Sequence, residues 1–177
     1  MLTRAALIGA VDRLLTRAAL ITRAALMGAP TSAPASAHLR RRLPFEIGPF
    51  VLLPDHLHCV WTLPSNDDDF AKRWRQIKGW FTHAYLSDGG RDWDVTEQHG
   101  RQGRLGVWQP RYWEHRIRDE RDYERYRDYI HLNPVKHGYV DRPEEWPWTS
   151  FHHHVRLGWL DPHWPGSTPL DLPAIDD

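Results

Sequence analysis

Two short stretches of the chain carry residue types that can do chemistry together. In His56-Leu57-His58 the imidazoles stand at i and i+2. On a β-strand that spacing sends both to one face, where they can grip a single metal ion while Leu57 turns to the core. Tyr129-Ile130-His131-Leu132-Asn133 places a phenol and an amide four residues apart. On a helix that puts Tyr129 and Asn133 on one face, with Tyr126 and Ile130 facing more toward the core. A phenol beside a metal can act as a nucleophile. Each motif taken alone has a plainer alternative, the histidines as polar residues on a solvated face and the tyrosine as half-buried packing.

Spacing means nothing unless the elements are real. Phe45 to Leu63 is rich in β-formers around Gly48-Pro49 and Pro54-Asp55, and reads as one buried strand bent near Pro54. Asp67, Asp68 and Asp69 supply an N-cap for an amphipathic helix through Phe70, Trp74, Ile77, Phe81 and Tyr85. Ser87 to Gly106 reads as a polar, Gly-rich loop. Val107 to Arg118 alternates as a second strand, with Trp113, His115 and Ile117 on one face. Asp119 caps a further helix, which Pro134 is expected to end near Asn133. Trp146-Pro147-Trp148 with Phe151 reads as an aromatic clamp that closes the domain.

Composition narrows the class. The 177 residues, 41% hydrophobic and 26% charged, suit one globular domain, and no apolar run is long enough to cross a bilayer. The single cysteine, Cys59, excludes an internal disulfide and a zinc site built on cysteines, and reads as a small core residue. Lys+Arg and Asp+Glu both number 23, so net charge says nothing about a nucleic-acid partner. Local pattern does: Lys72, Arg73, Arg75 and Lys78 alternate with Trp74 and Trp80, and Arg111, Arg116 and Arg118 flank the second strand. Cations for phosphates and rings for unpaired bases are what single-stranded DNA binding needs. Lys78 is the preferred phosphate contact, and the alternative is a solvated basic face over a Trp-containing core. His115 and His131 are read as near the site, able to contact phosphate or orient ligands, and His152-His153-His154 as surface or DNA-facing polarity.

Thr-Arg-Ala-Ala-Leu recurs from Thr3, Thr16 and Thr22 at unequal spacing. Residues 1–37 are therefore read as a low-complexity extension, helix-forming and without a clean β pattern, ending in a Pro-rich linker. The catalytic-type domain is placed at 38–155, with a loose Pro-rich tail at 156–177.

The ordered motifs Leu53 to Trp61, Ile77-Lys78, Val107 to His115, Tyr129 to Gly138 and Trp146 to Ser150 resemble those of the REP-associated tyrosine transposases. These are single-tyrosine members of the His-hydrophobic-His nuclease superfamily. The resemblance spans about Phe45 to Phe151 and implies a ferredoxin-like α+β fold, an antiparallel sheet with helices on one face. It implies His56, His58 and Asn133 as ligands of Mg²⁺ or Mn²⁺ and Tyr129 as the nucleophile. DNA contacts are then expected from Lys78, Arg75, Arg111 and Arg116. The expected activity is cleavage and rejoining of single-stranded DNA near hairpin-forming repeats through a 5′-phosphotyrosine. A monomeric or homodimeric, cytoplasmic, nucleoid-associated bacterial protein follows. The family opens with an apolar strand, which the repeats are not expected to supply. The competing classes are a metal-dependent hydrolase using bound water and an inactive binder of DNA hairpins.

Overall fold

The computed structural model describes residues 3–10, 42–54, 56–87, 108 and 112–164. Four strands form one antiparallel sheet: β1 (Thr3–Ala10), β2 (Glu46–Leu52), β3 (His56–Leu63) and β4 (Trp113–Arg116), in the order β2-β3-β1-β4. That is the strand order of a ferredoxin-like sheet. Three helices are described: α1 (Phe70–Ser87), α2 (Glu120–Lys136) and the short α3 (Phe151–Arg156).

The opening strand is therefore present, and it comes from the first repeat. Thr3–Ala10 pairs with β3 from Thr3↔Leu63 to Ala10↔His56 and with β4 on its other side. Residues 3–10 belong to the domain and not to an extension before it. Local helix propensity in Thr-Arg-Ala-Ala-Leu is weak, and a strand slot between two partners overrides it. The other two repeats and the linker lie outside the described residues.

The stretch expected as one bent strand is a hairpin. At Pro54 the chain reverses, and the Leu53 N–H donates to the His56 carbonyl at 2.8 Å. Pro-Asp is a turn signal, and a reversal lets two apolar runs pair with each other. The irregularity falls at Gly48-Pro49, where the β2–β3 register shifts between Ile47 and Phe50, because proline cannot donate to a ladder.

β3 is covered on both faces. Leu57, Cys59 and Trp61 pack with Phe50, Leu52 and the α1 residues Trp74, Ile77, Phe81 and Tyr85. Val60, with Val51 and Leu53, packs against Tyr126, Tyr129 and Ile130 of α2. The α+β antiparallel sheet is as expected, but α1 and α2 lie on opposite faces of it and not on one. Both faces of β3 are apolar enough to demand a cover. The clamp closes the β2 edge: Leu52 N–H donates to the Trp148 carbonyl (2.8 Å) and Trp146 Nε1 donates to the Leu52 carbonyl (2.9 Å). Part of the expected tail is also ordered against the domain. Leu160 is buried, Trp159 packs on His154, and Trp164 packs on His131 and Phe151.

Asp69 caps α1, its Oδ1 accepting from the Lys72 N–H at 2.9 Å. Arg73 does not join a DNA-facing surface. Its side chain is fully buried, and its guanidinium donates to the Asp67 carboxylate and to the Asp69 and Pro44 carbonyls, clasping the start of α1 to the entry of β2. Asp119 caps α2 by accepting from the Asp122 N–H at 2.8 Å. The helix does not stop at Asn133. It runs through Pro134 to Lys136 and ends where Gly138, at φ +69°, turns the chain. There the Gly138 N–H donates to the Val135 carbonyl and the Tyr139 N–H to the Pro134 carbonyl, both at 2.9 Å, a Schellman cap.

The clasp and the Asp122 carboxylate make two stability predictions. Asp67→Ala strands a buried guanidinium and should cost about 3 kcal/mol in chemical denaturation. Burial raises the Asp122 carboxyl, but hydrogen bonds from His115 and Arg118 outweigh it and bring it down to about 2. Asp67 is held down similarly by Arg73. A depressed carboxyl stabilises the fold above its unfolded value of about 4, and that contribution disappears as the pH falls toward about 2. The urea midpoint should drop over that interval, and Asp122→Asn should flatten the drop.

Candidate active site

The site lies where β3 meets α2. His56 and His58, 6% and 0% exposed, point to the α2 face with their rings 4.8 Å apart and nearly perpendicular. Alternation along β3 directs them there, and Leu57 and Cys59 go to the opposite face, as expected. The Tyr129 ring stands edge-on to His58 at 5.2 Å. One turn later Asn133, fully buried, places Nδ2 3.1 Å from His58 Nε2. An amide nitrogen can only donate, so His58 Nε2 accepts. Four residues from two elements, about 75 positions apart in the chain, thus share one pocket of side chains.

Two neighbours complete the cluster and were not singled out by sequence. Lys136 Nζ donates to the Tyr129 hydroxyl at 3.4 Å and sits 5.1 Å over its ring. The His137 ring lies 5.2 Å from that of His56. The seven-residue spacing from Tyr129 to Lys136, two turns on one helix face, could have pointed to the lysine. The expected helix stop at Pro134 hid it.

The donor set suits a cation. Asn133 Oδ1 is buried and has no hydrogen-bond partner among the described residues, which is an acceptor in want of a charge, and it stands beside two imidazoles. His, Cys, Asp and Glu alone form no cluster of three or more among the described residues, and among these it is the amide that would add a third donor to the two imidazoles.

The remaining candidates lie elsewhere. Arg75 is exposed on α1, across the sheet from Tyr129. Lys78 is not on an open basic face. Its amine sits 5.3–5.6 Å from the Trp74, Trp108 and Tyr112 ring centres, and burial lowers its pKa to about 8. A solvated lysine stem lies down over apolar rings, and here three rings surround the head. Arg116 is exposed on β4, and Arg111 is outside the described residues. His115 donates through Nε2 to Asp122 at 2.7 Å. His131 turns away from the site and is buried against Thr149 and His154. His154 is buried too, contrary to a surface role for the whole triplet, because helix α3 rotates it inward.

No family model matches the chain. The REP-associated tyrosine transposase of Escherichia coli K12 is 45% identical over 128 residues, covering 72% of this chain and 67% of that protein. A solved structure of a REP-associated tyrosine transposase bound to a REP hairpin is 35% identical and superposes with a TM-score of 0.72, covering 99% of this chain and 93% of that one. No described helix is long and apolar enough to cross a membrane. Shared sequence at this level, over a sheet and helices that superpose along nearly the whole chain, places the protein in the family of REP-associated tyrosine transposases.

Proposed function

We propose that this transposase cleaves and rejoins single-stranded DNA beside REP-type hairpins, through a covalent link between Tyr129 and a 5′-phosphate. The observation that carries the reading is the placement of the Tyr129 ring against His58, with Asn133 and Lys136 on the same helix face. The Tyr129 oxygen attacks the scissile phosphorus and gives its proton to solvent water, the bond to the 3′-oxygen breaks, and that oxygen takes a proton back from water and leaves as a hydroxyl. Rejoining reverses the same exchange, so no bond energy is lost. Lys136 holds the phenol oxygen by a charge-assisted hydrogen bond and offsets negative charge on it when it attacks and when it departs.

His56, His58 and Asn133 would hold Mg²⁺ or Mn²⁺. When bound, such an ion supplies positive charge to the non-bridging oxygens of the phosphate. The residues themselves set the approach: β3 fixes the imidazoles and α2 the amide, and a bound ion would take the His58 Nε2 lone pair that otherwise accepts from Asn133. DNA approaches on the α2 face, and of the expected cations Arg75 and Lys78 lie behind the sheet, while Arg116, in register with Ala5 and through it with Trp61, projects to that same far side and reaches DNA only around the β4 edge. The setting is the bacterial nucleoid, as a monomer or homodimer.

Two measurements test this. Tyr129→Phe keeps the ring against His58 and should bind a labelled REP hairpin as wild type does while forming no covalent adduct in denaturing gels. A bound-water hydrolase would still cut, and an inactive binder would give no adduct even in the wild type. Lys136→Met should slow single-turnover adduct formation by about 10²-fold with little change in DNA affinity, the size of effect expected for one lost donor to a charged oxygen. Lys136→Arg should restore part of it.

A further inference from the structure

The sheet register puts a second aromatic feature in line with the site. Trp113 of β4 stands opposite Ile8 of β1, and Ile8 stands opposite His58 of β3. Residues directly opposed in a ladder project to the same face, so Trp113 is on the face that carries His58 and Tyr129. Two strand spacings separate it from His58, about 10 Å.

Trp113 is 38% exposed at the sheet edge, one of the few large apolar side chains so placed among the described residues. It is not loose. Its ring lies parallel to His115 (5.8 Å, 8°) and close to parallel with Tyr126 (5.9 Å, 29°), and those two rings stack on each other at 4.6 Å. The support is itself pinned: His115 donates to Asp122, and Tyr126 is buried under α2's cover of the sheet. Arg118, largely exposed and bound to Asp122, adds a guanidinium beside the stack. A flat, rigidly backed and solvent-reaching ring next to a cation is the arrangement that takes an unpaired base and its phosphate.

We propose that Trp113 is a stacking platform for one unpaired nucleobase of the substrate strand, a few nucleotides from the phosphate at Tyr129. The proposal rests on the reading of Tyr129 and His58 as the reaction centre. It assigns the β4 edge a role that the strand's paired backbone does not need, since an edge residue could as well be charged.

The test is a cycle between protein and DNA, using the full chain and REP-hairpin oligonucleotides in which a single abasic site is stepped through the unpaired flank. In the wild type, one abasic position should weaken binding about tenfold, or about 1.4 kcal/mol. Trp113→Leu keeps apolar bulk but loses the flat ring. It should weaken binding to intact DNA by a similar factor and be indifferent to that abasic position, whereas Trp113→Phe should stay sensitive. Losses that multiply, no sensitive abasic position in the wild type, or wild-type affinity in Trp113→Leu would each overturn the platform. If Trp113→Leu melts at lower temperature, the Trp113→Phe comparison and the wild-type abasic scan still decide. Adduct formation on intact DNA, measured in parallel, reports separately on the reaction: its absence sinks the Tyr129 reading, and its presence with multiplying losses sinks the platform alone.

Discussion

Strand β3 is hydrogen-bonded on both sides and covered on both faces, and that double enclosure fixes the direction of every side chain on it. A slip of one residue would exchange the two sets, sending His56 and His58 under α1 and Leu57 and Cys59 toward α2. Buried imidazoles without their polar neighbours and a hydroxyl without its own would both be costly, so packing and chemistry select the same register. β1 is half of this enforcement. Its pairing runs the whole length of β3, from Leu63 back to His56, which makes a segment of unpromising composition essential to where the histidines point.

The second element of the site depends on α2 as a lever. Tyr129 and Asn133 meet His58 because successive turns of one helix present them together, and Lys136 reaches back over the phenol because the helix survives Pro134. The Schellman cap at Gly138 ends the helix just past the lysine and hands the chain to Tyr139, whose ring stacks between His137 and Trp146. Trp146 in turn belongs to the segment that seals β2. The face that carries His56 and the β2 edge of the sheet are therefore joined through one run of rings.

Most of the site was legible in the sequence because it rests on periodicity. His56 and His58 two apart, and Tyr129 and Asn133 four apart, need only the correct element type to converge. The helix starts at Asp69 and Asp119 were legible for the same local reason, a side-chain oxygen facing a free N–H. What was not legible depends on partners distant in sequence. Thr3–Ala10 is a strand because β3 and β4 leave a slot for it, and no pattern within Thr-Arg-Ala-Ala-Leu-Ile-Gly-Ala says so. Arg73 and Lys78 read as free cations until the fold supplied an aspartate with two carbonyls for one and three aromatic rings for the other. Pro134 by its intrinsic preference predicts a helix end, which tertiary packing of α2 outweighs.

That proline leaves a mark on the energetics of α2. With no amide hydrogen at Pro134, the Ile130 carbonyl receives nothing from four residues on, and the ladder of the helix has one rung missing directly below its last turn. The turn beyond it is held by the Gly138 cap and by contacts to the phenol and to His56, not by an unbroken helix. Such a segment can open as a small cooperative unit while the part of α2 buried against the sheet stays closed. Amide hydrogen exchange would then divide this one helix into two protection classes, with the boundary falling between the asparagine that touches β3 and the lysine that touches the tyrosine.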